Sequence, residues 1–194
     1  GYDNMNRRTS VENPASETTD YAYDNAGRMT RMTTQLGFIT TYAYDADDHH
    51  TRMETPENEI TTYQYDDVGR RTAVIDARGN TTTYAYDAAN RLTRVTDPLT
   101  HHTDTSYDLA SRVTRTTTHL EFSTTITYDA AGRRTSMINP MSQTMTYGHD
   151  ADGRLTSVTD PLLHMTQYTY DKAGRRIAAI DPLHYPTLYG YDAD

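Results

Sequence analysis

Cysteine and tryptophan are absent from this 194-residue sequence, phenylalanine occurs twice, and Lys172 is the single lysine. Without cysteine there is no disulfide framework, no thiolate zinc site and no cysteine nucleophile. A formal net charge of −9, with arginines spaced along the chain, argues against a nucleic-acid partner, because phosphate binding is driven by clustered Lys and Arg that release counterions. No apolar run is long enough to insert this segment into a membrane as a helix. What the chain has instead is 17 Tyr and roughly one Thr in every five residues. Both types suit a half-buried pleated surface better than a helix.

The tyrosines fall in register. Asp3, Asp24, Asp45, Asp66, Asp87, Asp108, Asp129, Asp150, Asp171 and Asp192 stand 21 residues apart without insertion or deletion, and Tyr precedes each of them except Asp150, where His149 stands. A second Tyr column lies two residues earlier, interrupted by Thr105 and Ile126. With the Tyr before each Asp as place one, place five holds Gly, Asn, Asp or Ser, residues that tolerate a left-handed or turn backbone. Place six is Arg in eight of nine repeats, His49 being the exception, and place eight is Thr except at Ile177. A second turn signal follows at places twelve and thirteen, as in Asn13-Pro14, Thr55-Pro56, Asp97-Pro98 and Asp160-Pro161.

Two strands and two turns per period predict an all-β fold, an antiparallel meander of 21-residue two-stranded repeats. Representative strands are Arg28 to Thr33 and Ile39 to Tyr44, about eighteen in all. A twisted sheet of that many strands is expected to curl into a spiral, tube or shell. The faces depend on how the Asp-x-x-Gly turn closes. As a two-residue loop it puts Tyr at places one and twenty, Thr at eight and eighteen, Arg at six and Val or Met at ten on one face. With a bulge at the Gly, Asp pairs with Arg and the faces shift by one. The first closure is favoured because it gathers every recurring position on one side.

The pattern Y-x-Y-D-x-x-G-R-x-T with a following D-P resembles the YD repeat, or Rhs repeat, found in bacterial polymorphic toxins, toxin-complex shell components and animal teneurins. The resemblance covers essentially the whole chain. It implies a β-sheet strip that spirals into a hollow shell around a toxic polypeptide, or forms the body of an adhesion receptor. The family's C-terminal core with its self-cleaving aspartates has no counterpart here, so no protease activity is carried over.

The residues that define the repeat are a structural ladder: Tyr23, Asp24, Gly27 and Arg28; Tyr65, Asp66, Gly69 and Arg70; Tyr128, Asp129, Gly132 and Arg133; Tyr170, Asp171, Gly174 and Arg175. Acidic groups such as Asp45 to Asp48 lack the spacing of a calcium loop and read as turn residues. The histidines near the turns, including His49, His50, His101 and His164, read as solvated groups without a zinc ligand set. No residue sits on a strained elbow or beside a pocket-like insertion, so no catalytic site, metal or cofactor is assigned. The sequence is expected to be one array of nine full repeats from Tyr2 to Gly190 plus the start of a tenth, cut from a longer secreted or surface protein, with a bacterial origin suggested by the resemblance. Its expected role is the wall of an encapsulating shell, the alternative an extracellular fibre or adhesion module that binds glycans. The partners to expect are neighbouring repeats, further copies through open strand edges, an enclosed polypeptide or a glycan.

Overall fold

The computed structural model describes residues 1–192. They contain eighteen β-strands and no helix. Two compact units divide the chain, one spanning Gly1–His102 and the other beginning at Thr103. In the first, strands β1 (Ser10–Glu12) to β9 (Leu92–Thr96) each pair antiparallel with the next. In the second, β10 (His102–Tyr107) to β18 (Pro186–Leu188) do the same. Each unit is therefore an antiparallel meander of the 21-residue, two-stranded repeats expected from the period.

The strand faces follow the closure that the sequence reading did not favour. Around Asp24, the Asp24 N–H donates to the Arg28 carbonyl at 2.9 Å and the Gly27 N–H to the Asp24 carbonyl at 3.1 Å, with Gly27 at φ 89°. This is a type I turn followed by a left-handed bulge residue, the three-residue hairpin loop. The register shifts once more just below it: Tyr23 faces Met29, but Ala22 faces Arg31, which leaves Thr30 as an extra residue. The Thr30 hydroxyl then donates to the Ala22 carbonyl, as Thr51 does to Ala43 and Thr93 to Ala85. A hydroxyl that can satisfy a carbonyl beside a bulge accounts for Thr at place eight.

Together the two irregularities correct the predicted face assignment. Tyr at places one and twenty, Thr at eighteen and Val or Met at ten do share a face, as Tyr21 opposite Met32 and Met32 opposite Thr40 show. Thr at eight leaves it, Arg at six stands at the turn with its guanidinium beside the place-one rings, and place seven joins it: Met29, His50, Arg71, Leu92, Val113, Arg134, Leu155 or Arg176. The opposite face carries mostly Thr, Ser, Ala, Arg and Gln, for example Ala22, Arg31 and Thr41.

Within each unit the described residues form a single sheet layer. Among the described residues only Ala73 and Ala178 are buried, and no large side chain is. Apolar area is removed from water mainly by same-face neighbours on adjacent strands, so stability rests on the ladder from strand to strand.

Candidate functional site

The features that recur with the period are the turns. Each Asp at place two organises its own hairpin. Asp24 Oδ1 accepts from the Ala26 and Arg28 backbone N–H groups at 3.0 and 2.9 Å, and Oδ2 accepts from Arg28 Nε at 2.8 Å. Asp66, Asp129 and Asp171 repeat the arrangement with Arg70, Arg133 and Arg175. The Arg28 backbone N–H, aided by its guanidinium, holds the Asp24 carboxyl below its ordinary value, and Arg133 does the same to Asp129.

The same Arg reaches forward to the next repeat. Arg28 Nη1 donates to the Asp45 carbonyl at 2.8 Å, Arg7 to Asp24 at 2.9 Å and Arg70 to Asp87 at 3.1 Å. The guanidinium lies over the next repeat's place-one ring: Arg28 over Tyr44 at 4.9 Å, Arg112 over Tyr128 at 4.6 Å and Arg154 over Tyr170 at 5.2 Å. That ring reaches back, since the Tyr23, Tyr65, Tyr128 and Tyr170 hydroxyls donate to the carbonyls of Arg8, His50, Val113 and Leu155 at 2.8 to 2.9 Å. The four residue types singled out in the sequence thus form one clamp per joint. Asp shapes the turn, Gly lets the backbone turn, Arg grips the next turn, and Tyr closes the return contact.

Where a repeat departs from the pattern, chemistry replaces it. His49 stands for Arg, bonds Asp45 Oδ2 at 3.0 Å and stacks on Tyr65 with centroids 4.6 Å apart. Asp48 and Asn90 occupy the Gly place with φ near 65° and accept from Arg28 and Arg70 of the preceding repeats. On the Tyr-rich face, His50 packs against Tyr42, Tyr44 and Tyr63, its buried Nε2 without a hydrogen-bond partner. Arg71 and Arg176 each lie between two Tyr rings. These contacts correct the reading of His49 and His50 as solvated, since both belong to the ladder; His101 and His164 are exposed at their turns, where they bond the carboxylates of Asp97 and Asp160.

The second turn is the first one repeated. Asp97, Asp160 and Asn139 at place twelve accept from the backbone N–H groups two and four residues on, and place fifteen is left-handed in all nine repeats. In the sequence only Gly37 and Gly79 point to a left-handed backbone in that column. Thr100, Glu121 and Leu163 adopt it at φ 63 to 68°. Among the described residues no group of three or more His, Asp or Glu is placed to hold a metal ion.

Hairpins joined by a repeating side-chain clamp define a β-repeat scaffold. The chain belongs to the RHS Repeat family, whose model matches residues 2–39, 44–81, 65–102, 86–119, 128–162 and 149–186. No curated protein matches it. Among solved structures it is similar to TcdB2-TccC3, at 16% identity and a TM-score of 0.49 over 91% of this chain. A Photorhabdus luminescens Tc holotoxin pore is 17% identical with a TM-score of 0.47. The chain spans only 12% of the length of either. A porin-like protein from Bacteroides uniformis is 17% identical with a TM-score of 0.36, the match covering 86% of this chain and 90% of that one.

Proposed function

We propose that this chain forms part of the wall of a large secreted or cell-surface RHS-repeat protein, an encapsulating shell with no catalytic role of its own. The observation that carries the reading is the clamp, one kind of contact repeated between successive hairpins with no insertion to interrupt the period. A wall must extend by identical joints and present no weak seam, and a single-layer sheet stabilised from strand to strand meets that need without a core. Membership of the family supports the same role. The alternative is a fibre or adhesion module whose Tyr and Arg face binds glycans, as stacked aromatic and guanidinium groups would suit.

Electron microscopy and limited proteolysis of the natural full-length chain test the proposal. A hollow particle that protects an enclosed polypeptide from protease is the expected result. A solid rod, together with saturable binding of the chain on a glycan array, would instead establish the fibre reading.

A further inference from the structure

The two turn edges of the second unit differ in chemistry. The edge of first turns carries Ala130, Ala131, Ala151, Asp152 and Lys172, with Leu109 its one large apolar group. The edge of second turns presents Leu120, Phe122, Met141, Leu162, Leu163 and Leu183, each between 55% and 84% exposed. One of them is held there at a conformational cost. Leu163 is the most exposed of the six and sits at φ 66°, a backbone conformation that glycine would adopt without strain. The turn sets that backbone in every repeat, but neither it nor the clamp calls for a leucine side chain exposed to water there.

We propose that this rim is the contact through which two copies of the chain pair. The tips recur every two strands, about 9.6 Å apart, and a second copy offers a row of the same period, so that side chains interleave along the whole edge. The six side chains expose on the order of 700 Å², close to the roughly 800 Å² per partner of a stable interface. An antiparallel arrangement about an axis between the second and third of the four turns sets Met141 against Leu162 of the partner subunit. It also brings Glu121 beside His184 of the partner subunit. None of the four turns (118–122, 139–143, 160–164, 181–185) contains Lys or Arg, so the rim lacks the basic residues that draw apolar edges to anionic membranes.

Such a contact is isologous and closes at two copies, whereas pairing through open strand ends continues into larger oligomers. Sedimentation of the chain over a concentration series is expected to show a monomer–dimer equilibrium. Leu162→Ser with Leu163→Ser should weaken it by about 100-fold, and Leu109→Ser on the opposite edge should leave it unchanged. Because the chain has no cysteine, Met141→Cys with Leu162→Cys should give a cross-linked dimer on oxidation. Neighbouring turns of one copy are too far apart to form that disulfide. A monomer at every concentration, open-ended growth, or a dimer indifferent to the rim substitutions would overturn the proposal. So would a monomer that binds phosphatidylcholine vesicles through the rim, which would assign the edge to a membrane surface.

Discussion

At the scale of single residues, two glycines separate backbone strain from inter-repeat contact. Gly37 and Gly69 have nearly the same φ, 79° and 81°, but a Cβ on Gly37 meets nothing within 4 Å, whereas one on Gly69 would lie 2.7 Å from His49 Nε2. Gly37→Ala should therefore cost about 1 kcal/mol from the left-handed backbone alone, and Gly69→Ala more, because it also displaces the ring that stands in for Arg. Urea denaturation of both variants checks this; equal losses would mean that the His49 joint adds nothing. A gain is expected at Thr55, whose buried hydroxyl has no hydrogen-bond partner. Asn13 in the same place accepts two backbone N–H bonds and pairs with Glu17, and residue 59 is also Glu. Thr55→Asn should raise stability by about 1 kcal/mol, read as a higher urea midpoint at unchanged slope.

At the scale of the hairpin, the sequence carried the period, the strands and the first turn. It did not carry the register. The Tyr, Asp, Gly and Arg columns were legible because they recur at a fixed spacing of 21 with Tyr almost confined to its places, but the bulge at Thr30 appears only as a preference for Thr that strand propensity explains equally well. The second left-handed column was hidden for another reason: Thr100, Glu121 and Leu163 have side chains that normally avoid it, and two hydrogen bonds to the place-twelve side chain or backbone hold the turn regardless. Thr100→Gly should relieve this and raise the melting temperature, since a β-branched residue is among the least suited to φ 68°. Acid should act on all the hairpins at once. Asp24, Asp87, Asp108 and Asp129 titrate below their ordinary 3.8 because the Arg backbone N–H four residues on bonds the charged form. Their contribution is complete above the unfolded-state value and is lost as pH falls through the lower folded-state one. Circular dichroism melts should thus hold steady from neutral pH to about pH 5 and decline below about pH 4.

At the scale of the whole molecule, stability that passes from joint to joint makes length negotiable and register not. Excising residues 129–149 joins Tyr128 to Asp150, restores the Tyr-Asp pair and leaves every later side chain on its face. The shortened chain should keep a far-UV spectrum of β-structure. Excising one residue fewer, 129–148, should not, because a one-residue slip turns each following strand over. Similar spectra and melts for the two deletions would show that the clamp does not set the register. The forward grip of each Arg and the backward reach of each Tyr also have a genetic consequence. Since the residues on the two sides of a joint are the same types in most repeats, with His49 and His149 the exceptions, a copy recombined with its neighbour generally meets a matching joint at both ends. Unequal crossing-over within such a gene yields longer or shorter folded products in a single event, so array length can drift between relatives faster than the residues of any one repeat.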